Sequence, residues 1–137
     1  MKKRLLYLIL PIVTLILEIL PYGAVCNFMR PSTTEGVPAG QFRELYSYFD
    51  LTPFGYANFA PLITAVITCI AILILVIYCF TGKEILVRIS KNIVFVCAVI
   101  SFGPLVLGFH FFSVIGAIIS LSLIGEYILL RQDVKAS

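Results

Sequence analysis

The sequence predicts an all-α membrane protein: a four-transmembrane-helix bundle with a short amphipathic helix in its outer loop. Three observations carry that reading. Of the 137 residues, 61% are hydrophobic and 12% charged, whereas soluble domains carry about 25% charged residues. The apolar residues gather in four stretches, at about 5–25, 59–80, 92–109 and 112–130, each near the roughly twenty residues a helix needs to cross a bilayer core. The basic residues collect on one side of these stretches. The length suits one domain, 1–137, and the mean hydropathy is +1.07.

The first stretch, 5–25, follows the basic cap MKKR. Such a cap also precedes secretory signal sequences. Ala24-Val25-Cys26 is a poor cleavage context, and Glu18 lies beyond a short apolar region, so a retained helix is expected. A charge inside a span is expensive and by default marks a site or a buried partner. Thr14 and Tyr22 stand four residues on either side of Glu18, with Pro11 seven before it, on one helix face.

The outer loop, 26–58, begins with an irregular stretch rich in Pro, Gly, Ser and Thr. In QFRELYSYFD, residues 41–50, Phe42, Leu45, Tyr46 and Phe49 recur at helical spacing. A short amphipathic helix on the outer leaflet or over the bundle mouth is expected there. A strand would put Phe42, Glu44, Tyr46 and Tyr48 on one side and mix a charge into the apolar set. Pro53 ends the element, and Pro61 falls in the first turn of the second span, where proline is tolerated.

The cytoplasmic loop, 81–91, is short, basic and amphipathic. It reads as a positive-inside loop, with contact to anionic head groups as the functional alternative. Gly103-Pro104 should kink the third span. Only His110 and Phe111 separate the last two spans, which then form a tight hairpin. Ser113, Gly116, Ala117 and Ser120 share one face at small-xxx-small spacing. That pattern suits packing within the bundle, or a dimer face.

With the N-terminus inside, Lys2, Lys3, Arg4, Lys83, Arg88, Lys91, Arg131 and Lys135 are cytoplasmic, and only Arg30 and Arg43 are outside. Both termini are then cytoplasmic in a multi-pass protein of the cell membrane. Its size and short loops suit a bacterial inner membrane. Tyr7, Tyr78, Phe80 and Tyr127 fall near the inner boundary; Tyr22, Phe28, Phe59, Phe109, Phe111 and Phe112 fall near the outer one.

No CxxC pair, HExxH or glycine-rich phosphate loop occurs, and no basic run suggests nucleic acid. Cofactors and metals are not expected. His110 is the single histidine, and Cys26, Cys69, Cys79 and Cys97 are scattered, reading as small apolar fillers. Counting along the helix rise places Glu18 roughly 10 Å below the outer end of its span, with Thr64, Thr68, Ser101 and Ser120 roughly 8–13 Å down theirs. These depths allow a polar layer around Glu18, without fixing the rotation of any helix. Either Glu18 is a neutral, hydrogen-bonded structural group, the favoured reading, or it binds a proton or cation. Glu126 is expected to reach the cytoplasmic boundary or to pair with Arg131 or a loop lysine.

Four spans and a glutamate in the first resemble the small multidrug transporters in architecture. The long aromatic outer loop and strong charge bias depart from that pattern. The large segment after the first span is similar to claudin- or tetraspan-like proteins, whose paired cysteines are absent here. No family is assigned. With no nucleophile–base pair at a shared depth, an enzyme is not expected. The function expected is that of a non-enzymatic interaction or accessory protein. It would use Phe42, Leu45, Tyr46 and Phe49 as an outer surface toward another membrane protein or a second copy, with lipid around it. The alternative is a small proton-coupled transporter or channel subunit using Glu18.

Overall fold

A computed structural model describes residues 2–30, 40–53 and 58–136. The chain is mostly helical, 72% of it. In order come α1 (Lys2–Ile19), β1 (Ala24–Arg30), β2 (Gly40–Tyr46), α2 (Ala60–Thr81), α3 (Glu84–Ser101), the short α4 (Gly103–Leu107), a 3-10 turn (Phe109–Phe111) and α5 (Val114–Ala136). Helix α2 packs between α1 and α3, and α5 packs on both α1 and α3. Neighbouring long helices run antiparallel. Positions 2–4, 83–91 and 131–135 therefore share one end of the helical body, and the β-hairpin occupies the other.

Among the described residues, three helical stretches are long and apolar enough to cross a membrane: Ala60–Thr81, Glu84–Leu107 and Val114–Gln132. The apolar part of α1 is shorter, Leu5–Ile19. The expected first span, 5–25, is thus too long. Pro21 lacks an N–H and disfavours helical geometry at Leu20, so α1 stops at Ile19 and the chain turns into β1.

The hairpin corrects the expected amphipathic helix at 41–50. Strands β1 and β2 pair antiparallel, with Ala24 opposite Tyr46, Cys26 opposite Glu44 and Phe28 opposite Phe42. Alternation through Phe42, Glu44 and Tyr46 won over the helical period because β1 offers a complete ladder. The charge that counted against a strand costs little: Glu44 is exposed, and the Tyr46 hydroxyl donates to its Oε2. Cys26, in β1, is fully buried.

The loop expected at 81–91 shrinks to Gly82 and Lys83. Gly82 closes α2 in a left-handed conformation, φ 67°, and its N–H returns to Tyr78 O at 2.8 Å. Glu84 then opens α3, because no breaker interrupts the chain before Phe102. The expected kink at Gly103-Pro104 is a break: α3 ends at Ser101 and Pro104 starts α4 in its first turn. A Cβ at Gly103 would meet Ala60 Cβ at 2.6 Å, so this glycine lets α4 approach the start of α2.

Two apolar clusters form the core. Ala24, Tyr48, Ala65, Cys97, Ala98, Ile119 and Leu123 lie toward the hairpin, and Ala71, Leu75, Tyr78, Val87, Val94 and Leu130 lie toward the basic end. Leu5, Ile9, Ile16, Leu73 and Leu121 are more than half exposed on the outside of the helices.

Candidate functional site

The site lies where the hairpin meets α1. Ser47 Oγ donates to Glu18 O at 3.1 Å and Tyr48 N donates to the same carbonyl at 2.9 Å. These bonds satisfy a helix-terminal acceptor that would otherwise be orphaned. Segment 47–50 is itself a tight turn. Asp50 Oδ2 accepts from Ser47 N at 2.7 Å, and Ser47 Oγ accepts from Phe49 N at 3.0 Å. The turn drives the Tyr48 ring down over Gly23 into the core, where it is 1% exposed.

Below this plug sits Glu18, fully buried. Thr68 Oγ1, on α2, donates to Glu18 Oε1 at 2.8 Å. The same hydroxyl lies 3.1 Å from Thr64 O and 3.6 Å from Cys97 Sγ, and Cys97 Sγ lies 3.5 Å from Thr64 O. Glu18 Oε2 has no hydrogen-bond partner.

One turn away on the same face, Thr14 Oγ1 is 2.6 Å from Ser122 Oγ on α5 and donates to Leu10 O at 3.0 Å. A third pair, Ser101 Oγ donating to Ser120 Oγ at 2.8 Å, joins α3 to α5. Thr64 Oγ1 turns back to Ala60 O at 2.8 Å, the local bond that lets a hydroxyl sit inside an apolar helix. The seven residues of the expected polar layer therefore divide. Glu18 and Thr68 bond directly, Thr64 joins them through its carbonyl, and Thr14 pairs with Ser122. Ser101 and Ser120 form a separate pair. Tyr22 is 54% exposed and contributes nothing to the layer, because the helix ends before it.

Glu126 departs furthest from expectation. It neither reaches the boundary nor pairs with Arg131. It is 1% exposed, and both its carboxyl oxygens lack a hydrogen-bond partner. Arg131 is exposed. Five residues on, a side chain points about 140° round the helix, so the two face different ways. Glu126 stands one turn beyond Ser122 on α5, four residues at helical spacing.

At the hairpin end, Ser113 Oγ accepts from Gly116 N at 2.8 Å and donates to Gly23 O at 2.5 Å. It caps α5 and ties that helix to the chain entering β1, while Ala24 makes a further bridge to Phe112. Of the small-residue face, Ser113, Gly116 and Ser120 make these contacts and the Ser101–Ser120 pair, and Ala117 is half-buried. Of the expected outer surface, Phe42 stacks on Phe28 with centroids 5.4 Å apart, and Tyr46 packs partly on the core. Leu45 and Phe49 are exposed, so the four residues do not form one helical face. Arg43 separates two surface clefts, one of about 360 Å³ lined with Asn27, Phe42 and His110, the other of about 340 Å³ lined with Tyr22, Leu45 and Val114.

Outside the helices, the Glu44 carboxylate that accepts its hydrogen bond pushes the Tyr46 phenol up to about 12. Burial raises the Cys26 thiol, with the nearby Glu44 charge adding to it. Among the described residues, no three His, Cys, Asp or Glu side chains group to hold a metal.

No protein-family model matches the chain, and no curated protein or solved structure is significantly similar to it.

Proposed function

We propose that this is a multi-pass cell-membrane protein whose α1, α2, α3–α4 and α5 cross the bilayer as a four-helix bundle. Both termini would be cytoplasmic and the hairpin outside. Apolar side chains cover the outside of the helices, and the basic positions share one end, which supports that placement. The apolar part of α1 is short for a bilayer core of about 30 Å; Glu18, Ser47 and Tyr48 at its end mark where the outer cap takes over.

Within that frame the protein is a non-enzymatic interaction or accessory protein. One observation carries this reading: the hairpin end is tied to α1 through Ser47 and Tyr48 and to the cap of α5 through Gly23, yet leaves Met29, Leu45, Phe49 and Leu51 exposed. A partly apolar surface that carries the Arg43 cation suits a partner membrane protein that presents an acidic side chain among apolar ones. Photo-crosslinking from position 45 in native membranes tests it. A discrete adduct that disappears in R43E, while position 106 on α4 gives none, is the expected result. Adducts of equal yield from both positions, unchanged in R43E, would overturn it.

A further inference from the structure

Two buried carboxyls in one small helical body need an explanation beyond packing. Leucine would fill either position without the desolvation penalty that a buried carboxyl carries. We propose that Glu18 and Glu126 are two proton-binding stations on the α1–α5 seam, with the Thr14–Ser122 hydroxyl pair between them and Tyr48 closing the outer end. This inference rests on the membrane placement given above.

The geometry is stepwise. Thr14 stands one turn from Glu18, and Ser122 one turn from Glu126, about 6 Å along the axis in each case. The hydroxyl pair bridges the helices at 2.6 Å. Three of the four carboxyl oxygens, Glu18 Oε2 and both of Glu126, are unpartnered, so each group keeps an oxygen that can take a proton. The fourth, Glu18 Oε1, faces Thr68, whose single proton has two acceptors. When Glu18 is ionised, Thr68 donates to Oε1 at 2.8 Å. When Oε1 carries the proton, it donates to Thr68 Oγ1, and Thr68 turns its own proton to Thr64 O at 3.1 Å. Both states keep Thr68 bonded, so protonation exchanges one satisfied arrangement for another.

The surroundings favour protons over other cations. The titratable groups that interact with Glu18 are Tyr48 from the cap, Cys69 from α2, Cys97 from α3 and Glu126 from α5. Those that interact with Glu126 are Glu18 and Cys97. None of these groups carries a positive charge that could neutralise a carboxylate in place of a proton. A single bound proton neutralises a carboxyl without further ligands, whereas a metal ion would need a ligand set that the described residues do not group.

The test uses the full chain reconstituted in vesicles that trap a pH-sensitive dye, with a potassium diffusion potential drawing protons inward. The wild type should acidify the lumen faster than empty vesicles. E18Q and E126Q should each lose that flux, S122A should lose part of it, and E84Q should keep it. Infrared spectra of the same samples should show two protonated-carboxyl bands, one lost in each Gln variant; this reading needs only folded protein. Flux equal to that of empty vesicles, or flux retained in both Gln variants, would overturn the proposal. Carbonate extraction separates the two levels. A chain that washes off the vesicles contradicts the membrane placement, whereas an inserted chain without flux contradicts the proton stations alone.

Discussion

The ring of Tyr48 lies so close over Gly23 that a Cβ built there would sit 2.8 Å from two of its carbons. That contact sets how the hairpin seats on the helices. The position needs glycine for want of space, and the backbone there requires no special conformation.

Gly23→Ala should therefore destabilise the protein by about 1–3 kcal/mol, the usual cost of overpacking a fixed core. Gly116→Ala should cost less, since its neighbours stand at 3.1–3.4 Å, and Gly125→Ala least, with only Leu10 Cδ2 at 3.4 Å. Thermal melts of the three variants in one detergent check the order. A Gly23 variant as stable as the Gly125 variant would contradict the seating.

Ser113→Ala removes the cap of α5 and strands Gly23 O in one step. A loss of about 1–2 kcal/mol is expected, the range for a deleted N-cap serine, and Ser113→Asn should recover part of it. Chemical denaturation measures both.

Thr68→Val should cost about 1–3 kcal/mol, because it leaves Glu18 Oε1 buried without its donor. Adding E18L to T68V should return most of that loss, since two matched apolar groups replace a broken polar pair. A double-mutant cycle on thermal stability reads the coupling. Additive losses would deny the bond.

Tyr46 supplies a pH dependence outside the helices. Its phenol titrates at about 12 in the folded protein, above the value near 10 of a free tyrosine. A folded value raised above the unfolded one contributes stability in full below pH about 10 and loses it as pH rises through about 12. Ultraviolet titration of tyrosinate should differ between the wild type and E44Q by one group, which ionises late in the wild type and moves back toward the ordinary value in E44Q.

How much of this was legible in the sequence depended on what each segment packs against. The helices α2, α3 and α5 declare themselves by length and hydropathy alone. The hairpin does not. Phe42, Leu45, Tyr46 and Phe49 fit a helical period as well as Phe42, Glu44 and Tyr46 fit a strand. Strand β1, AVCNFMR, is concealed at the end of an apolar run. Only pairing decides between the two, and pairing is tertiary. The Glu18–Thr68 bond was reachable from helix rise, because depth survives ignorance of helix rotation. Tyr48 was not, since nothing local distinguishes it from Tyr46. Glu126 was obscured by Arg131, a plausible partner in distance but not in helical angle. Ser122 could have been found four residues before Glu126, on the face that the carboxyl shares.

The central claim is a membrane-embedded helical body with the hairpin outside and the Gly82–Lys83 turn inside. Single cysteines at Gln41 and Lys83, in a chain with its four native cysteines replaced by alanine, measure it most directly. In intact cells an impermeant maleimide should label position 41 at once, and position 83 only after permeabilisation. Labelling of position 83 from outside with position 41 protected, or equal labelling of both, would contradict the account.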